Sequence, residues 1–189
     1  LNALSDAQRL AFLPELWEAV DSDDYDSFSA FFEMVPEYLK PADWGALKRY
    51  LSGSELLSHD DFAKKLLEIF GPAMTPEEKG EWLKTLAQHS DQFIVPLALF
   101  YEKEKGDLKK ASKTLDKAIE KLAGQQHRFF GAGDIAKHIV EERIRLAQGQ
   151  REPLDGLALR YVELLPRAES LRRALELSPG QRPALEELL

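Results

Sequence analysis

The sequence predicts an all-α fold, an array of antiparallel helical hairpins arranged as an α-solenoid or an irregular helical bundle. Three observations predict it. Apolar residues recur at helical spacing almost throughout the 189 residues, and no long stretch alternates as a half-buried strand would. Residues that start and stop helices stand at the ends of these periodic segments. The links between segments are short, which makes consecutive helices antiparallel neighbours, so the array grows hairpin by hairpin.

Taken in order, a first helix is expected over 5–20, where Ser5 and Gln8 have the spacing of a reciprocal cap. Helices follow over 24–34 and 41–52. The next, 60–70, opens on Asp60 and Asp61, whose charges suit the positive end of a helix dipole. Gly71-Pro72 ends it. Thr75 and Glu78 then form a second capping pair, and Pro76 stands at the first helical position, where a missing N–H costs nothing. The helix they open is expected over 76–89.

The segment 93–105 contains Pro96, which deep inside a helix would remove a hydrogen bond, so this helix begins nearer Val95 or kinks there. Gly106 stops it. The clearest helix is 107–122, where Leu108, Ala111, Leu115, Ala118, Ile119 and Leu122 form one apolar stripe and Gly124 marks the end. Asp134 is expected to cap a helix over 134–148 after a flexible linker, and the stretch from Gly149 to Pro153 breaks the chain. Helices over 155–165, 167–177 and 183–189 complete the chain, the last two separated by Ser178-Pro179-Gly180. The final half-hairpin has no partner helix and the chain opens on Leu1, so a piece of a longer array is expected.

Residues 98–122 carry an aromatic at Tyr101, a turn at Gly106-Asp107, small Ala111, then Leu115 and Ala118. This pattern resembles the turn and second helix of a tetratricopeptide repeat. A second match is Leu171, Ala174, Leu175 and Pro179, where the family's small residue precedes its repeat-ending proline. The resemblance implies stacked hairpins with a concave groove that binds a protein or peptide segment. On this reading residues 1–189 are one helical-repeat-like domain, acidic and aromatic-rich over 1–91 and tetratricopeptide-like over 92–189.

The charge distribution is uneven. Residues 1–91 hold 8 Lys plus Arg against 18 Asp plus Glu, whereas 92–189 hold 17 against 15, within a net charge of −8. The densest acid run, Asp21, Asp23, Asp24 and Asp26, surrounds Tyr25, with Trp17 and Trp44 in the same half. Carboxylates steer a basic segment and aromatic faces hold Arg or Lys, so Trp17, Asp21, Asp23, Asp24, Tyr25, Asp26 and Trp44 are the candidate partner-binding residues. The competing reading of such aromatics is core, and of such acids a solvated face.

A nucleic-acid partner is not expected. The closest basic surface, Arg143, Arg145, Arg151, Arg160, Arg167, Arg172, Arg173 and Arg182, is interleaved with Glu and reads as a solvated face. An Arg-rich end and an Asp-rich start also permit head-to-tail self-association.

Zero cysteines exclude disulfides, Cys-ligated metals and thiol nucleophiles. The four histidines, His59, His89, His127 and His138, lack metal-ligand spacing, although His138 with Glu141 and Glu142 could offer a ligand pair. His89-Ser90-Asp91 are adjacent and cannot relay hydrogen bonds as a triad does. The Gly131-to-Ala136 stretch lacks the preceding strand that a dinucleotide fingerprint needs. No catalytic residues, cofactor or metal are therefore expected. No apolar run approaches 18 residues, so no membrane span is expected either. The function expected is a non-enzymatic interaction module or scaffold. The alternatives are a small acidic inhibitor or immunity-type protein of a basic enzyme, and a structural spacer of a larger assembly.

Overall fold

The computed structural model describes residues 39–51, 60–124, 132–165 and 168–186, together with Ser5, Ala7, Gln8, Ala11, Phe12 and Glu15. The described residues form helices and turns, with no strand among them, and the fold is all-α. The chain divides into two compact units, Leu1–Ser90 and Asp91–Leu189.

In the first unit Ser5 and Gln8 form the reciprocal cap, with the Ser5 N–H donating to Gln8 Oε1 at 3.0 Å and the Gln8 N–H to Ser5 Oγ at 3.4 Å. Pro41–Asp43 form a 3₁₀ turn that leads directly into α1, Trp44–Leu51. The Asp43 carboxylate reaches back to accept the Lys40 N–H at 2.8 Å, which fixes the entry to α1. The helix α2, Asp60–Phe70, buries Phe62, Ala63, Leu66 and Phe70 on one face. A second 3₁₀ turn, Gly71–Ala73, separates it from α3, Pro76–His89. The Thr75 N–H donates to Glu78 Oε2 at 3.0 Å and the Glu78 N–H to Thr75 Oγ1 at 3.2 Å, so the start of α3 lies where the sequence puts it. Trp82, Leu83 and Leu86 of α3 are buried, as are Trp44 and Leu47 of α1.

The second unit opens with a 3₁₀ turn, Asp91–Phe93, followed by α4, Ile94–Lys103. Pro96 is the third residue of α4, within the first turn, where N–H groups have no intrahelical acceptor. Of the two readings of Pro96, the structure gives a helix that begins close to Val95. Gly106 takes a φ of +64°, a left-handed turn, and the Asp107 N–H closes it by donating to the Tyr101 carbonyl at 2.8 Å. There follow α5, Leu108–Gly124, α6, Ala132–Gln150, α7, Asp155–Leu164, α8, Ala168–Leu177, and α9, Arg182–Glu186.

The main contacts run from each helix to the next through α4, α5, α6, α7 and α8, and α4 also meets α6, as α5 meets α7. The small residues Ala111, Ala118, Ala136, Ala147, Ala158 and Ala174 are buried, which lets these helices approach closely. Ala158, Val162, Ala174 and Leu185 form a terminal core that Leu159, Leu171 and Leu175 flank.

Two helix ends differ from the sequence reading. Asp134 is the third residue of α6 and not its cap, because Ala132 and Gly133 are already helical. The same helix runs through Gly149 and stops at Arg151, which adopts the left-handed φ of 57°. The Arg151 N–H donates to the Gln148 carbonyl at 3.2 Å and the Glu152 N–H to that of Ala147 at 2.9 Å, a paired closure that satisfies the last carbonyls.

Candidate functional site

Of the binding residues expected from the sequence, Trp17, Asp21, Asp23, Asp24, Tyr25 and Asp26 lie outside the described residues. Trp44 is described, and it belongs to the interior. It is 7% exposed, and its ring stacks on that of Trp82 with centroids 4.8 Å apart and planes within 16°. Phe70 covers it at 5.7 Å. An aromatic at helical spacing serves a core and a binding face equally well in a sequence, and here the neighbouring rings decide. Beside this stack Lys48 Nζ meets Glu78 Oε1 at 2.9 Å. The Thr75 backbone, and after it Lys48, lower the Glu78 carboxyl from 4.5 to about 2. The Trp44 indole N–H makes no hydrogen bond of good geometry and adds a smaller favourable contribution.

Of the arginines of the second unit, Arg143, Arg145 and Arg173 pair with carboxylates of other elements, while Arg145, Arg151, Arg160, Arg172 and Arg182 are exposed, as a solvated face would be. Arg143 on α6 is 11% exposed, with Nε 2.7 Å from Asp116 Oδ1 on α5 and Nη2 2.7 Å from Glu152 Oε2. Burial pushes its guanidinium down, but the hydrogen bonds from Asp116 and Glu152 outweigh it and the net direction is up. Arg145 joins Glu142 on its own helix to Glu102 on α4, and Arg173 of α8 contacts Glu141 of α6 at 3.2 Å. Glu141 also accepts the Tyr161 hydroxyl at 3.0 Å. Glu141 and Glu142 thus serve helix packing instead of forming a ligand pair with His138, which is exposed. Among the described residues no cluster of three or more His, Asp or Glu is arranged to hold a metal ion. No described helix is long and apolar enough to cross a membrane.

The lysines of α5 differ. Beside the turn between α4 and α5 lies an open hollow of about 510 Å³, lined by Tyr101, Asp107, Lys109, Lys110, Lys113, Thr114 and Lys117. Helix geometry builds it. Lys109, Lys113 and Lys117 recur every four residues and so share one face of α5, opposite the buried stripe of Ala111, Leu115, Ala118 and Leu122.

The hollow is fixed at its inner edge. Asp107 Oδ1 accepts the Lys110 N–H at 2.9 Å and caps the helix, which occupies that oxygen and leaves the four ammonium groups dominant. The Thr114 hydroxyl donates to the Lys110 carbonyl at 2.9 Å. Tyr101, 5% exposed, presents its ring to Lys110 Nζ at 4.3 Å. Among the described residues Lys109, Lys113 and Lys117 pair with no carboxylate. The arrangement can hold an anionic group, with Tyr101 as a rigid wall. The signal was present in the sequence as lysines four apart on the best-defined helix, interrupted between Lys109 and Lys117 by one acid, Asp116.

Comparison with protein-family models, with curated proteins and with solved structures gives no match to this chain.

Proposed function

We propose that the protein is a non-catalytic interaction module whose helical-hairpin surface seats a segment of another polypeptide. The observation that carries this reading is the open hollow of α5. It gathers Lys109, Lys110, Lys113 and Lys117 on a capped helix, while Arg143 and Arg145 of α6 are paired with carboxylates. Like charges four residues apart on a helix destabilise it by roughly 0.2–0.5 kcal/mol per pair, so the stripe gains nothing until an anionic segment neutralises it. The tetratricopeptide-like pattern over residues 98–122 and 171–179 supports the same reading, since stacked hairpins of that kind expose side surfaces for partners. In the acidic half, Trp17, Tyr25 and the run Asp21, Asp23, Asp24 and Asp26 serve a basic partner segment by charge guidance.

The test is fluorescence anisotropy of a labelled peptide of alternating Glu and Ser against the full chain at two ionic strengths. The expected result is saturable, salt-weakened binding that falls about tenfold in the Lys109→Ala/Lys113→Ala/Lys117→Ala variant, since three exposed pairs at roughly 0.5 kcal/mol each amount to one decade. Absence of binding, or binding indifferent to the three substitutions, rejects the hollow as the docking site.

A further inference from the structure

The hollow beside α5 concentrates positive charge in a small space. Lys109, Lys110, Lys113 and Lys117 fall within about 12 Å of helix axis. Asp107, the one acid among the described residues that line it, has Oδ1 committed to the helix cap. We infer that the partner segment seated here is phosphorylated, so that a phosphate monoester on a serine or threonine of that segment occupies the hollow. The inference rests on the interaction reading of the same hollow and names the chemistry of its partner.

The first support is the arrangement of the cations. Thr114, which also lines the hollow, lies four residues beyond Lys110, next to Lys113 and three before Lys117, so helical spacing sets Lys110 and Lys117 on either side of it along the axis. Lys110 is held at one edge, with Nζ 4.3 Å from the Tyr101 ring. Ammonium groups that approach one place from several directions suit an anion with acceptors on several sides. A phosphate presents three such oxygens, whereas a carboxylate presents two in one plane.

The kind of cation points the same way. Among the described lining residues there is no arginine, so the planar fork that pairs bidentately with a carboxylate is missing. Ammonium groups act as point charges, and their attraction grows with the charge they meet. A phosphate monoester carries about −1.5 to −2 near neutral pH, a carboxylate a single charge.

Reach separates this partner from a nucleic acid. Beyond Lys117 the lysine face gives way to Glu120, its i+3 neighbour, and Lys121 pairs with Asp91 at 2.7 Å. Asp107 stands at the other end. A nucleic-acid backbone spreads single charges over a longer basic track than this, whereas one phosphate dianion needs only the hollow.

The test compares two labelled peptides of alternating Glu and Ser by fluorescence anisotropy with the full chain, one with its central serine phosphorylated and one with Asp in that place. At about pH 7.5 the phosphopeptide is expected to bind about tenfold tighter, as two added exposed contacts would give. At about pH 5.5 the advantage is expected to shrink to threefold or less, because the phosphate gives up its second charge near pH 6. Both peptides meet the same protein groups, so this change belongs to the phosphate. Lys109→Ala/Lys113→Ala/Lys117→Ala, with its helical dichroism intact, is expected to lose the preference. Equal affinity for the two peptides at both pH values overturns the inference and leaves the interaction reading standing. A preference that the triple variant retains overturns it too, as does a single-stranded oligouridylate that binds as tightly as the phosphopeptide. If neither peptide binds, both readings fall.

Discussion

Gly106 and Arg151 occupy the same left-handed backbone region with opposite suitability. Gly106 has no Cβ, and one added there would meet nothing within 4 Å, so the effect of a side chain is purely conformational. Gly106→Ala is expected to lower unfolding free energy by about 1 kcal/mol, read from urea denaturation, and Arg151→Gly to raise it by a similar amount. Denaturation midpoints that move the other way would show that the turns relax. Glu78 offers a pH readout. Its carboxyl is lowered from 4.5 to about 2, so the folded state favours the ionised form. The resulting stabilisation is complete above about pH 4.5 and fades as pH falls toward 2. The thermal midpoint of the parent should therefore exceed that of Glu78→Gln at neutral pH, with the gap closing over this window. Of these features, the Thr75 and Glu78 cap was legible because its residue types and spacing are dictated by helix-end chemistry. Arg151 was not, because nothing in an arginine announces a left-handed backbone.

At the scale of elements, the boundaries of α2 and α3 were readable from Asp60, Gly71, Thr75 and Pro76, which stand where the chain changes direction. The first turn of α4 was less legible: Pro96 fits there because the 3₁₀ turn Asp91–Phe93 precedes the helix, and that turn leaves little trace in composition. Long-range pairing was invisible altogether. The position of Arg143 between Asp116 and Glu152 depends on how α5 and α6 cross, so sequence spacing gave only a charged helix face. Replacing Arg143 with Ala is expected to cost about 2 kcal/mol, because a largely buried guanidinium and its charge-assisted hydrogen bonds to Asp116 and Glu152 are lost. A double-mutant cycle with Asp116→Asn, measured by chemical denaturation, should return a coupling above roughly 0.5 kcal/mol. Strict additivity would reduce the contact to an exposed pair of no net energetic weight. Trp82→Ala is expected to be more severe, at about 3–5 kcal/mol, since it empties the place beneath Trp44.

Across the whole molecule, the all-α class followed directly from apolar periodicity, whereas the candidate site was only half legible. The acid run could be named from composition, but the lysine face required α5 to be placed with its cap and its Tyr101 wall. Trp44 shows the converse, an aromatic that composition offers to a partner and packing withdraws into the core. Alanine replacement of Asp23, Asp24 and Asp26 together is expected to weaken binding of a basic peptide and flatten its dependence on ionic strength. Unchanged affinity in a folded variant would remove the acid run from the docking surface.

The stacked indoles of Trp44 and Trp82 have an optical consequence. All three tryptophans fall within the unit Leu1–Ser90, while the other unit absorbs near-ultraviolet light through Tyr101, Tyr161 and its phenylalanines. Indole emission excited selectively is thus a gauge of the first unit alone, blind to melting of the second. Two probes, fluorescence for one and far-ultraviolet dichroism for both, will diverge whenever the units lose structure at different temperatures.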